Sequence, residues 1–347
     1  MSKPKIHTMK ELSEAIAVSR PTLARYFEDE ASVMPSTATK IKKGLGEVDY
    51  VYNFLATRQN RKSTGLIGVV IPYFEDLFFA SLLDSIEIAA RAAGFTIITQ
   101  SSHGDLASEE QAIEKLRSMY VDGAIVSPLG TNGNFDAFQA ASADFPIVFA
   151  DSRPGCDLPN ADFVGTNNAN SVGVMVDYLC RTGAPPVFLG MPKLNTNALD
   201  RQDAYFQRME KAGFEAAVVE TPDGMESWRF EKYGFEVMND HFGYGRYVDA
   251  TILCANDRVA IGAIRAANTH GLFFARDGEK RGELRIAGHD DHPLSRYIFP
   301  AVTTVAQDVG KIGRDTVELL ARRVRDGREG EGEILLRDGA LKIRESA

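Results

Sequence analysis

The sequence predicts a small all-α head carrying a helix-turn-helix, followed by a two-lobed α/β body built on parallel sheets. Three observations lead there. Two short helical patterns with their own start signals lie within the first 30 residues. From Gly65 onward, apolar strand-like runs alternate with longer amphipathic stretches, in two consecutive blocks. The charge reverses along the chain: residues 1–62 hold 11 Lys and Arg against 7 Asp and Glu, and the remainder 28 against 41. A small basic head on a large acidic body separates a part that meets a polyanion from a part that does not.

The head comes first. Thr8-Met9-Lys10-Glu11 has capping-box spacing, in which each side chain satisfies an orphan backbone N–H at a helix start. Leu12, Ala15 and Ile16 supply that helix with an apolar face. A turn at Ala17-Val18 follows, and Ser19 caps a second helix, with Pro21 tolerated in a first turn whose N–H groups lack partners anyway. Leu23, Tyr26 and Phe27 point inward, leaving Arg20, Pro21, Thr22 and Arg25 outside. A third helix begins near Ser36 and packs through Ile41 and Leu45. Two short helices across a tight turn, supported by a third, make a helix-turn-helix. The head spans 1–48 and "YVYNFLATRQNRKSTG" belongs to a basic connector over 49–64.

In the body the strand candidates are "LIGVVIP" (66–72), "FTIITQ" (95–100), "GAIVSP" (123–128), "PIVFAD" (146–151), "PVFLGMP" (186–192), "AAVVE" (216–220), "ATILCAN" (250–256) and "LRIAGHDD" (284–291). Helical spacing occupies 78–94 and 108–121 between the first of them. Continuous apolar strands alternating with helices imply sheets covered on both faces, with ligands at the strand C-terminal ends. The core is expected over 65–345, with an N-lobe of 65–164 plus 306–323 and a C-lobe of 165–303 plus 324–345.

Composition narrows the function classes. The chain has 347 residues, 44% hydrophobic and 25% charged, which are ordinary globular values. No signal-peptide series or membrane-length apolar run is present, so a cytoplasmic protein with no membrane partner is expected. Cys156, Cys180 and Cys254 are far apart with no CxxC; they read as reduced core residues, and no metal or other cofactor is expected. GxxxxGK[ST], HExxH and GxSxG are all missing. "HDDH" (289–292) invites a metal or hydrolase reading, but four adjacent residues at a strand end alternate in direction and do not converge. An enzyme is not expected.

The order helix-turn-helix, basic connector, two-lobed body resembles the LacI/GalR family of transcription regulators. The segments "MKELSEAIAVSRPTLARYF", "STGLIGVVIP", "LFFASLLDSIEIAARAAGF", "VDGAIVSP", "LCANDRVAIGAIRAA", "IAGHDD" and "PAVTTVAQD" carry the likeness across roughly residues 6–345. It implies a periplasmic-binding-protein type I-like core. It also implies that the second helix lies in the DNA major groove, with Thr8, Ser19, Arg20, Pro21, Thr22 and Arg25 at the operator. Arginine can donate twice to guanine O6 and N7, worth about 1–3 kcal/mol of discrimination. Lys3, Lys5 and Arg58 are assigned to phosphate, and Tyr50, Asn53, Leu55 and Gln59 complete the connector's contacts. The family's connector folds into a hinge helix whose leucine wedges into the minor groove. Here that position is Gln59, and the usual proline near the hinge start is Tyr52, with Phe54 and Leu55 as apolar neighbours. An apolar wedge kinks the duplex, so this departure implies a smaller operator bend or a shifted wedge.

Family effector positions map onto Ser127, Asp151, Arg201, Asn256, Asp290 and Gln307, with Phe74, Phe78 and Trp228 as flat walls. Carboxylates and amides for hydroxyl pairs, with aromatics for ring faces, suit a sugar or sugar-like molecule. Two features depart from the family: "EDLFF" replaces the commoner Asn-Pro pair, and Trp228 aligns only with a one-residue shift. The resemblance implies a homodimer, joined around helices 78–93 and 108–120, on a palindromic operator with an effector shifting DNA affinity through one coupling free energy. A core sensing a nucleobase or a protein partner is the alternative; a sugar-binding transport receptor is more remote.

Overall fold

The computed structural model describes residues 3–52, 63–130, 133–155, 158, 161–222, 224, 227–273, 283–327 and 330–347. The chain divides into two compact units, Met1–Thr64 and Gly65–Ala347.

In the first unit, α1 (Met9–Ile16) starts at Thr8, whose hydroxyl accepts the Glu11 N–H at 3.2 Å. The Glu11 carboxylate reaches back to the His7 N–H at 2.9 Å, so the capping box closes one residue early. Ala17 turns the chain with φ +52°, and Lys40 donates to its carbonyl at 2.6 Å. Helix α2 (Arg20–Glu28) opens on Ser19, which accepts the Thr22 N–H, with Pro21 in the first turn. Helix α3 (Pro35–Glu47) supports both. Leu12, Leu23 and Ile41 are fully buried beside Ile16, Val18 and Val48. Ala15, expected inside, is exposed.

The head also extends past its expected end. Strand β1 (Lys5–Ile6) pairs in parallel with β2 (Asp49–Tyr50). Tyr52 stacks on Phe27 with ring centroids 4.5 Å apart. The expected boundary at 48 is therefore corrected to beyond 52 within the described residues. The aromatic rings leave less apolar surface exposed to water when packed on the head than when leading a connector.

The second unit holds a six-stranded parallel sheet of β3 (Leu66–Ile71), β4 (Thr96–Ser101), β5 (Gly123–Val126), β6 (Ile147–Ala150), β7 (Asp162–Thr166) and β12 (Ile334–Arg337). Their order is β12-β7-β6-β5-β3-β4. All six residues of β3 are buried, as a strand covered on both faces requires. On one face Gly68 admits Leu116 of α5 (Leu106–Ser118); a Cβ there would lie 2.2 Å from a leucine methyl. On the other, Ile67, Val69 and Ile71 share a core with Leu82 and Ile86 of α4 (Leu77–Ala92) and Leu320 of α11 (Val309–Asp326). Helix α6 (Phe135–Asp144) lies against α5.

The second lobe carries β8 (Val187–Leu189), β9 (Thr251–Cys254) and β10 (Arg285–Ala287), again parallel, in the order β10-β9-β8. Helices α7 (Asn168–Thr182), α8 (Thr196–Ala212), α9 (Phe230–Gly243) and α10 (Asp257–Thr269) flank it. A small antiparallel pair joins β11 (Thr304–Ala306) to β13 (Ala340–Lys342).

Two expectations need correction. The 216–220 run forms only an isolated bridge, Phe188 to Val218; at the flank of a three-stranded sheet it has no partner beyond β8. The expected assignment of 324–345 to the second lobe also fails for 334–337. Strand β12 satisfies the open edge of β7, and Arg323 clamps Asp162 at 2.9 and 2.8 Å to fix that edge.

Candidate functional site

The parallel strands of both lobes end at one cleft, as open α/β sheets dictate. Asp151 follows β6, Asn256 follows β9, Asp290 follows β10 and Gln307 follows β11, while Arg201 projects from the first turns of α8. All five line the same cavity with Phe78 and Trp228. That cavity is about 40 Å³, room for roughly three waters at 10–15 Å³ each, so any larger ligand must part the lobes.

Arg201 is only 3% exposed and each of its nitrogens is engaged. Nε donates to Asn168 Oδ1 at 3.2 Å, Nη1 to the Ala255 carbonyl at 2.8 Å, and Nη2 pairs with Asp290 Oδ1 at 2.9 Å. The same Asp290 oxygen accepts from His289 Nδ1 at 2.8 Å and Gln307 Nε2 at 2.7 Å. Burial raises the Asp290 pKa, but Arg201 and His289 outweigh it and bring the carboxyl down to about 2. Asp151 sits in the left-handed region at φ +68°, with Asn197 Nδ2 donating to its carboxylate at 3.2 Å. Burial, opposed by Arg201 and reinforced by Asp290, pushes Asp151 up to about 7. Asn256 caps α10 by accepting the Val259 N–H at 2.8 Å and turns its amide toward Met191. Capping and cleft lining thus coexist in one residue.

Trp228 spans the lobes. It comes from the second lobe yet packs against Tyr73 and Phe79 of the first, with centroids 5.9 and 6.3 Å away. Gly104, at φ +67°, makes room: a Cβ there would lie 2.3 Å from the indole. Beside it Arg258 joins Asp76 of the first lobe to Glu231 of the second, both at 2.7 Å.

Two expected residues are not at the cleft. Phe74 is 47% exposed and does not line it; Asp76 caps α4, so the helix presents Phe78 and Phe79 while the preceding turn leaves Phe74 in solvent. Ser127 is buried but not lining, because the loop after β5 folds over it, held by Glu109 at the Leu129 N–H and by Ser152 at the Pro128 carbonyl. Sequence reasoning missed Asp76, Asn195, Asn197 and Arg258. Asp76 and Arg258 stood inside quoted segments, "EDLFF" and "ANDR", but nothing in spacing shows that they meet.

The "HDDH" residues diverge. His289 bonds Ser171 Oγ at 2.8 Å, Asp290 faces the cleft, Asp291 pairs with Arg344, and His292 caps the turn at Leu294. Ser171, His289 and Asp290 are connected like a hydrolase triad, yet Ser171 is wholly buried, does not line the cavity, and burial holds His289 down to about 4. A sealed, neutral relay cannot meet a substrate.

On the head, Thr8, Ser19, Arg20, Pro21 and Arg25 are exposed and Thr22 is half-buried, its hydroxyl 2.8 Å from that of Ser19. Thr8 and Ser19 are therefore helix caps, while Arg20 and Arg25 are exposed on α2. Lys3 and Lys5 are exposed. Tyr50 is half-buried, tilted against Phe27 with its hydroxyl toward Met9 sulfur, so its ring serves the head's core. Asn53, Phe54, Leu55, Arg58 and Gln59 lie outside the described residues. No helix among the described residues is long and apolar enough to cross a membrane.

A helix-turn-helix head and a two-lobed body with a ligand-type cleft define a class, and the chain is similar to LacI/GalR-family transcription regulators, with a periplasmic-binding-protein-like core. Residues 176–347 match the periplasmic binding protein-like domain family. The HTH-type transcriptional repressor PurR of Histophilus somni is 25% identical over 93% of this chain and 94% of its own length. The PurR repressor of Vibrio campbellii is 23% identical over 97% and 99%. The fold is that of the lac repressor bound to ONPG in its repressed state: TM-score 0.79, 21% identity, covering 99% of this chain and 100% of that one. The regulator CelR in complex with cellobiose superposes with TM-score 0.65 at 19% identity, over 98% and 99%.

Proposed function

We propose that this chain is a cytoplasmic operator-binding repressor whose DNA affinity is set by a small polyhydroxylated metabolite held between the lobes. The carrying observation is the convergence of Asp151, Arg201, Asn256, Asp290 and Gln307 with Phe78 and Trp228 at one cleft, in a chain whose head exposes Arg20 and Arg25 on a capped second helix. Amides and carboxylates meet hydroxyl pairs, and aromatic faces cover ring C–H bonds. Arg20 and Arg25, with Ser19, Pro21 and Thr22 around them, read bases; Lys3 and Lys5 hold phosphate. The protein works as a homodimer on a palindromic operator; the similar lac repressor is a dimer bound to operator. A ligand that binds one lobe arrangement better than the other shifts operator affinity by that difference and no more.

A second reading, a nucleobase effector, is favoured by the relatives named PurR. The experiment selects operator sequences from a random pool with the full-length protein. It then measures binding of the selected palindrome against salt, with and without sugars, polyols and nucleobases. A specific palindrome whose affinity falls steeply with salt and moves with one metabolite supports the proposal. Equal affinity for random competitor overturns it.

A further inference from the structure

The cleft has an unequal inventory of charge and hydrogen-bonding groups. Its two guanidinium groups are already spent. Arg201 serves Asn168, Ala255 and Asp290. Arg258 serves Asp76 and both oxygens of Glu231, and also donates to the Trp228 carbonyl. Asp151, by contrast, is 5% exposed and has no ion-pair partner among the described residues; the Asn197 amide is the donor to its carboxylate. Among the described residues lining the cavity, Asp76, Asp151 and Asp290 outnumber the two arginines, one of which also serves Glu231. One further buried atom on a cavity-lining side chain has no partner: the acceptor Asn195 Oδ1, on a residue 7% exposed.

An incoming acid would find no free cation among the described residues lining the cleft and would add negative charge to a desolvated surplus of it, which is the costly kind of mismatch. An incoming donor would satisfy Asn195 and Asp151 together, and one with positive charge would also neutralise the surplus. We infer that the cleft selects against anions and that its best ligand carries a protonated amine on a polyhydroxyl frame, an amino or imino sugar, seated with the ammonium on Asp151. This rests on the polyhydroxyl reading given above and adds the charge class to it. Burial is the main cause of the raised Asp151 pKa, and the Asp290 and Asp76 carboxylates add to it against Arg201.

The test uses the full-length protein at pH 7.5 and the quenching of its single tryptophan, Trp228. Matched sets are titrated: the amino sugar, the neutral sugar and the uronic acid of the gluco, galacto and manno series, with hypoxanthine alongside. In the series that binds, the amine is expected at least tenfold tighter than the acid and tighter than the neutral sugar. Asp151→Asn, whose folding is checked by a cooperative thermal transition, should erase the preference of amine over neutral sugar. Asn195→Ala should weaken amine and neutral sugar alike and keep their order. An acid that binds as tightly as its neutral partner overturns the inference and leaves the polyhydroxyl reading standing. So does an amine preference that survives Asp151→Asn. Silence from every sugar, whether or not hypoxanthine binds, removes the polyhydroxyl reading and this inference with it.

Discussion

Arg258 Nη1 and Asp76 Oδ2 lie 2.7 Å apart although 182 positions separate them in the chain. One belongs to the second lobe and the other caps the first helix of the first lobe. Arg258 also grips both Glu231 oxygens and stands 5.1 Å over the Phe230 ring. The closed cleft is therefore fastened by one side chain that three acidic or aromatic groups share.

Replacing that side chain leaves two carboxylates without their cation. Arg258→Met is expected to destabilise the core by about 3–5 kcal/mol, the cost of breaking a largely buried pair. Arg258→Met with Asp76→Asn should recover part of that loss. Urea unfolding of the full chain measures both. Acrylamide quenching should find Trp228 more accessible in Arg258→Met; unchanged quenching would mean that the ion pair does not hold the lobes together.

Arg201 offers a cleaner test of the cleft than deletion does. Arg201→Lys keeps a cation for Asp290 but loses the planar donors to Asn168 and Ala255. Ligand affinity should drop tenfold or more, while operator affinity without ligand changes less than threefold. Calorimetry with whichever sugar stabilises the parent protein, and gel shifts on the selected operator, separate the two.

At the head, Arg25→Ala should cost about 1–3 kcal/mol on the selected operator and far less on random DNA, since a base contact carries sequence preference. Lys5→Ala should weaken both equally and flatten the salt slope by about one unit. Ser19→Ala should act through stability instead: loss of the cap at Thr22 costs about 1 kcal/mol of head folding.

Glu109 predicts a pH effect. It is fully buried, and desolvation lifts it to about 7 despite bonds from Leu129 N–H and the Asn134 amide. The fold thus prefers the neutral carboxyl. That stabilising contribution is complete below about pH 4.5, the value in the unfolded chain, and is lost as pH rises through 7. Glu109→Gln cannot ionise. Its stability relative to the parent should rise between pH 5 and pH 8, by up to about 3 kcal/mol, as read by urea unfolding at the two pH values. A constant difference would show that the Glu109 pKa is not raised in the fold.

Legibility differed by the range of the interaction. Ser19, Pro21 and Thr8 were readable because capping is satisfied within three residues. The strands 66–71, 123–126 and 251–254 were readable because both faces are buried and their residues are almost all apolar or glycine. Phe74 was misread because aromatic character says nothing about which side of the α4 cap it falls on. Strand β12 was assigned to the wrong lobe because "EILLRD" carries no mark of the partner it meets at β7, 171 positions earlier.

The linear order of residues determined the helix-turn-helix, the basic-then-acidic division and the α/β alternation, since each depends on neighbours a few positions apart. Only the folded chain decided that Arg201 and Arg258 pair with carboxylates while Asp151 has no ion-pair partner among the described residues. Whether a buried charge is balanced depends on which distant side chains close around it, and the 182-residue reach of the Arg258–Asp76 bond is set by how two lobes pack.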